Sequence, residues 1–376
     1  MDKLAESLED HKFFGIIFSK LHTLNDDFKT AYIEKLLAIL NKPPIDITLV
    51  KSIIGMDVLE EQPSLRSLCW KLLLNYLPTD NTDWETHIDQ KRAEYNELKQ
   101  KYLVSITKKK KKAIDHPLSN NSDWEGYFKD NQIMKDIEKD LKRTRNELPF
   151  FTNKSRANKK ETNLDVLKRI LLIFAKKYPD ICYVQGLNEI LATIYYCFSL
   201  DENPYFFLEL EADSFFCFEH LVTKTKDIYI QSNDSGPTGI KTRLNYVKYL
   251  LHLLDYEMTC HFKNNSIEIS TIAFRWFTIY FAQEFSITGA MKIYDYILIQ
   301  EDLYYTLTLL CLSALKIKRE ALMSKDLGEV MTALQIFDDK DIAEMITKNH
   351  ELDSDLRLVQ EKLDYNGFIN SSYNHE

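Results

Sequence analysis

Glycine and proline are scarce, 9 of each in 376 residues, while Leu, Ile, Lys and Glu recur at three- and four-residue spacing. That excludes an all-β fold and favours an all-helical one. Cysteine is sparse and scattered: Cys69, Cys182, Cys197, Cys217, Cys260 and Cys311 lie mostly in apolar segments, with no paired spacing for zinc or a disulfide framework. They read as buried thiols in a reducing compartment. An excess of positive charge is missing too, since the formal net charge is -9. A general nucleic-acid binder is thereby excluded, although a local basic patch stays open. The longest apolar stretch, 303 to 315, is interrupted by threonine and too short to span a bilayer. The opening Met-Asp-Lys-Leu-Ala-Glu-Ser has no apolar core of a secretory leader. A cytoplasmic protein that reaches membranes only through a partner is expected.

Catalytic signatures are absent as well. There is no phosphate-binding Gly-x-x-x-x-Gly-Lys loop, His-Glu-x-x-His zinc helix, Gly-x-Ser-x-Gly elbow or kinase motif set. The nine histidines are dispersed, and His220 and His261 read as packed or surface residues. No self-contained active site, cofactor or metal of the chain's own is expected.

What is present is a large apolar inventory, 45% hydrophobic and 12% aromatic, more than one compact domain needs. Two lobes are therefore expected: a helical extension at 1–50, a main domain at 51–350 divided near 235/236, and a polar tail at 351–376. The Ser-Asn-Asp-Ser-Gly-Pro-Thr-Gly segment at 232–239 is the natural linker. Two amphipathic helices before residue 40 should stop at Asn41-Lys-Pro-Pro44. A helix from Pro63, a long polar helix from the capping-box pattern Thr82-Asp-Trp-Glu85 to about Ile106, a strongly periodic helix at 162–178 and a further helical segment at 303–319 follow from spacing. The run Lys108–Lys112 reads as a solvated loop, Trp124–Phe128 as an aromatic loop or turn, Pro149-Phe-Phe as an extended break, and the chain beyond about Asn349 as a fraying tail.

Three segments stand out. Leu65-Arg66-Ser-Leu-Cys-Trp70 places a cation and an indole one helical turn apart, which alone describes an ordinary core helix with a snorkelling arginine. In Ile137-Glu-Lys-Asp140-Leu-Lys-Arg143, the carboxylate three residues before the guanidinium can orient it by hydrogen bonds. The bland alternative is that Lys142, Arg143 and Arg145 complement the negative end of a helix. In Tyr183-Val-Gln185-Gly186-Leu-Asn188-Glu189, a primary amide precedes a glycine that can open a helix. Such an amide donates and accepts, which suits it to positioning a water, though it also suits a polar turn.

Taken in this order, the segments resemble the three signature motifs of the TBC family of Rab GTPase-activating proteins, over roughly Pro63 to Phe337. Trp124-Glu-Gly-Tyr-Phe-Lys-Asp-Asn131, Glu211–Phe218 and Phe274-Arg-Trp-Phe277 look like the member-13 branch. The chain departs from the pattern at Val58–Pro63, where Gly-Ile-Pro is usual, at Leu187 in place of methionine, and at Tyr294-Asp295 in place of Trp-Asp.

The resemblance implies an all-α, two-lobed fold with a groove between the lobes. It implies Arg143 as an arginine finger and Gln185 as a glutamine finger supplied to a Rab in its GTP form, with GTP and Mg²⁺ carried by that partner. Asp140 would orient Arg143. Arg66, Trp70, Tyr183 and Gly186, with Asn188 and Glu189, would support both fingers. It also implies a role in vesicle traffic at endocytic or plasma membranes. The alternatives are a catalytically weak Rab-binding effector and, less favoured, a helical scaffold unrelated to GTPases.

Overall fold

The computed structural model describes residues 11–21, 26–115, 121–323, 327–334 and 337–360. Among them all regular structure is helical, apart from one isolated antiparallel bridge between Lys154 and Thr162, so the all-α expectation holds. The chain divides into two compact units, Met1–Lys224 and Thr225–Glu376. The glycine-containing stretch 232–239 thus falls inside the second unit.

The first unit contains α1 (Gly15–Leu21), α2 (Asp27–Leu40), α3 (Ile47–Ile54), α4 (Pro63–Leu73), α5 (Trp84–Asp115), α6 (Asn121–Leu141), α7 (Pro149–Thr152), α8 (Asn163–Lys177), α9 (Leu187–Ser199), α10 (Pro204–Phe207) and α11 (Leu210–Lys224). A reciprocal capping box starts α8: the Asp165 amide donates to the Thr162 hydroxyl, and the Thr162 amide donates to the Asp165 carboxylate at 2.8 Å. Its apolar stripe, Val166, Leu167, Ile170, Leu171 and Phe174, is buried where α8 packs on α6 and α11. Helix α9 packs in turn on α4 and α11.

Half-buried and buried ion pairs fix how these helices meet. Arg169 of α8 forks onto Glu211 of α11 at 2.6 and 2.8 Å. Fully buried Asp213 accepts from the Tyr76 hydroxyl at 2.6 Å and from two Arg92 nitrogens at 3.1 Å, tying α5 to α11. Bidentate geometry of this kind sets orientation as well as attraction.

Several sequence expectations need correction. Helix α5 does not stop near Ile106: its backbone carries the lysine run and ends at Asp115. Its start differs too, because the Thr82 hydroxyl donates to Asp80 at 2.6 Å while Glu85 pairs with Lys12 at 2.5 Å, so the capping box is not made. Trp124–Phe128 lies within α6, not in a loop. Pro149 does not extend the chain but starts α7 at the position where its missing N–H costs nothing.

The second unit contains α12 (Ile240–Leu254), α13 (Tyr256–Asn264), α14 (Ile269–Ile279), α15 (Ile287–Leu298), α16 (Leu303–Ile317), α17 (Arg319–Met323), α18 (Leu327–Ala333) and α19 (Asp341–Gln360). The apolar α16 is its centre, packed by α12, α14, α15 and α19. Helix α14 ends where Tyr280 and Phe281 take positive φ values of 50° and 60°, and Phe281 then stacks on Trp276 with ring centroids 5.3 Å apart. Tyr294 is buried in α15 and its hydroxyl donates to the Ile279 carbonyl at 3.3 Å. The chain beyond Asn349 does not fray at once: α19 continues to Gln360 with Leu352 and Leu356 buried, and 361–376 lie outside the described residues. Among the described residues no helix is long and apolar enough to cross a membrane.

Candidate functional site

Helix α6 ends at Leu141, and the next residues close a tight turn: the Arg143 amide donates to the Asp140 carbonyl at 3.0 Å and the Thr144 amide to the Leu141 carbonyl at 3.2 Å. The i,i+3 spacing then acts as expected. Arg143 donates from Nη2 to Asp140 Oδ1 at 2.7 Å, and its side chain is 48% exposed against 5% for Asp140. A buried carboxylate needs partners for both oxygens, and Tyr183 supplies the second, its hydroxyl donating to Asp140 Oδ2 at 2.7 Å. Burial, reinforced by the Asp140 bond and carboxylate charge and opposed by Arg143, raises the Tyr183 phenol well above its ordinary value. It therefore stays protonated and remains a donor.

The second segment follows α8. The chain passes through Cys182 at φ 59° and reaches Gly186 at φ 105°, the residue that caps the start of α9. A side chain at that dihedral would be strained, so glycine is needed there. The Gly186 amide donates to Asn188 Oδ1 at 3.1 Å, which closes the turn around Gln185. Gln185 itself is exposed, and its side-chain amide has no hydrogen-bond partner among the described residues.

Cross-links join the two segments. Asn188 Nδ2 donates to Thr144 Oγ1 at 2.8 Å, and the Thr144 hydroxyl donates to the Asp140 carbonyl at 3.0 Å. Asn188 also donates to Glu189 Oε1 at 3.2 Å. Arg145 Nε lies 3.3 Å from Glu189 Oε2, and both side chains are buried. Beneath α9, in α4, Arg66 and Trp70 are buried at 4% and 0% exposure, so Arg66 does not snorkel to the surface. The result is a polar, bonded base from which two side chains, Arg143 and Gln185, project into solvent. A held cation and a bifunctional amide can stabilise negative charge and orient a water, but they include no nucleophile.

The sequence pattern of the Rab-GTPase-TBC domain family matches residues 63–323. The chain belongs to this family. TBC1 domain family member 13 of Homo sapiens is 29% identical, with 77% of this chain and 89% of that protein aligned, which bears out the likeness to the member-13 branch. GTPase-activating protein GYP1 of Saccharomyces cerevisiae is 26% identical over 61% of this chain and 34% of its own length. In fold, this TBC chain is similar to the crystal structure of the Ypt/Rab-GAP domain of Gyp1p, with a TM-score of 0.70 at 24% identity, covering 87% of this chain and 98% of that one. It also resembles the Chlamydomonas flagellar RabGAP TBC domain, with a TM-score of 0.53 at 16% identity over 90% and 97% of the two chains.

Of the residues the sequence singles out, Asp140, Arg143, Tyr183, Gln185, Gly186, Asn188 and Glu189 lie in the two joined segments, and Arg66 and Trp70 lie apart in α4. Sequence reasoning missed Thr144, whose hydroxyl bridges the two segments, and it read Arg145 only as a charge complementing the end of a helix. Thr144 directly follows Arg143 in the second motif, but its partner lies 44 residues away, which spacing cannot reveal.

Proposed function

We propose that the chain is a GTPase activator that completes the active site of a Rab-type small GTPase in its GTP form. The observation that carries this reading is a half-exposed arginine oriented by a buried aspartate in a segment bonded to the one that presents Gln185, within a chain of the Rab-GTPase-TBC domain family. Charge develops on phosphate oxygens during phosphoryl transfer, and an arginine supplied in trans stabilises it by about three to five orders of magnitude in rate. That corresponds to roughly 4 to 7 kcal/mol of barrier. Arg143 contributes the guanidinium. Gln185 orients the attacking water through an amide that both donates and accepts. GTP and Mg²⁺ enter with the partner, which explains why the sequence carries no phosphate loop. The chain takes no nucleic acid, and it meets vesicle membranes, endocytic or plasma, only by way of the bound GTPase.

The test is phosphate release from a panel of GTP-loaded Rabs, with the chain added in catalytic amounts as wild type, Arg143→Ala and Gln185→Ala. Acceleration on one or a few Rabs, lost in both variants, is the expected result. GTP-dependent binding without turnover would replace this reading with that of an effector, and neither binding nor turnover would leave a scaffold.

A further inference from the structure

We propose that Arg145 is a positioning residue for both projecting side chains, acting through its buried ion pair with Glu189; this rests on the GTPase-activator reading. Three links join the segment of Arg143 to that of Gln185. Asp140 accepts from Tyr183 two residues before Gln185, Thr144 accepts from Asn188 three residues after it, and Arg145 pairs with Glu189 four residues after it. The first two are ordinary hydrogen bonds, and the third sets charge against charge in the interior.

Arg145 is an expensive residue to keep where it stands. Its backbone has φ 46°, in the left-handed region that non-glycine residues rarely adopt, and its side chain is only 6% exposed. A buried ion pair gives little net stability compared with apolar side chains of the same size, but separating its charges leaves each uncompensated in the interior, which holds the pair at its 3.3 Å geometry although Nε and Oε2 are not hydrogen-bonded to each other. Here that geometry sits two residues beyond Arg143 and at the first turn of the helix that follows Gln185. The second carboxylate near it, Glu147 at 3.7 Å, is mostly exposed and constrains it less. The pair therefore fixes the turn that carries Arg143 against the start of α9. Because Arg145 is buried, it is not available to touch a partner, so its loss should misplace the two projecting side chains without weakening encounter with the GTPase. Misplacement on the ångström scale costs up to about a hundredfold in rate.

Two measurements on the full chain test this. In the free protein, hydrogen–deuterium exchange of the peptides covering 141–147 and 183–189 should quicken about tenfold in Arg145→Met, with peptides of the second unit unchanged. Unaltered exchange at either segment would overturn the proposal. In phosphate release on the responsive Rab, kcat should fall about tenfold or more while KM changes less than about twofold, and Arg145→Lys should recover most of the loss. An unchanged kcat, or a KM that rises in proportion, would equally refute positioning. Should Arg145→Met fail to fold, Glu189→Gln, which keeps the shape and removes the charge, is read in the same two ways. If wild-type chain accelerates no Rab, the activator reading fails by that result, while the exchange data still decide whether Arg145 holds the two segments.

Discussion

Arg143 and Asp140 divide the work of the site by burial: one side chain is half exposed and the other is almost entirely enclosed. Arg143→Ala should lower stimulated GTP hydrolysis by about 10³- to 10⁵-fold. Its stability should fall by no more than about 1 to 3 kcal/mol, the cost of leaving Asp140 Oδ1 without the donor that stands 2.7 Å away. Melting measured beside phosphate release separates the two effects, and a larger fall in melting temperature would place Arg143 in the core instead. Tyr183→Phe tests the other side of Asp140. It removes the donor 2.7 Å from Oδ2 and leaves a buried carboxylate oxygen unpaired, which costs about 1 to 3 kcal/mol. Both stability and kcat should therefore fall, the latter because Arg143 loses its fixed support. The Asp140–Arg143 pair was legible in the sequence, since three residues on a helix bring two side chains to one face. The Thr144–Asn188 and Arg145–Glu189 links were not, because each joins residues 44 apart whose meeting depends on how α6 and α9 pack.

At the scale of elements, helix periodicity located α8 and α16 well, while the termini of several helices were misjudged for local reasons. A run of lysines has good helix propensity, so the charge that suggests a loop does not itself end α5. Proline likewise marks a start as readily as a break, as α7 demonstrates. Gly186 is where sequence and conformation agree most closely, because α9 is entered at φ 105°. Gly186→Ala should destabilise the first unit by about 1 to 3 kcal/mol and reduce kcat, since relief of the strain would move Gln185. Chemical denaturation beside the kinetic assay measures both, and a silent substitution would mean that the turn relaxes at no cost. In the second unit, a Cβ on Gly289 would come within 2.2 Å of Asp339 Oδ1, the oxygen that accepts from the Ser286 amide at 3.2 Å. Gly289→Ala should accordingly push Asp339 off Ser286 and loosen the start of α15. GTPase kinetics should respond less to this change than to Gly186→Ala.

At the scale of the whole molecule, the tyrosines decide how the fold responds to alkali. The chain has 21 of them, and several are buried with their phenols held protonated. In the first unit, burial is the leading cause that raises Tyr76, Tyr95 and Tyr183, with Asp213, Glu211 and Asp140 respectively adding to it. In the second unit, burial raises Tyr229 and pushes Tyr280 and Tyr296 up to about 12. An unfolded tyrosine ionises near pH 10, so the folded state binds more protons above that pH, and the stability these groups confer is complete below it and drains away as pH rises. Each phenol that stays protonated in the fold removes about 1.4 kcal/mol per pH unit, so three in the first unit remove about 4. Against the usual 5 to 15 kcal/mol of a folded domain, roughly one to three and a half pH units of such loss is enough to unfold it. Tyrosinate absorbance and far-ultraviolet ellipticity should hold steady to about pH 10 for the buried set, then change together in one steep transition below about pH 13. Smooth, non-cooperative ionisation of all tyrosines near pH 10 with helicity intact would show that the phenol of Tyr183 is open to solvent, and Asp140 would then lose the permanent donor on which the orientation of Arg143 depends.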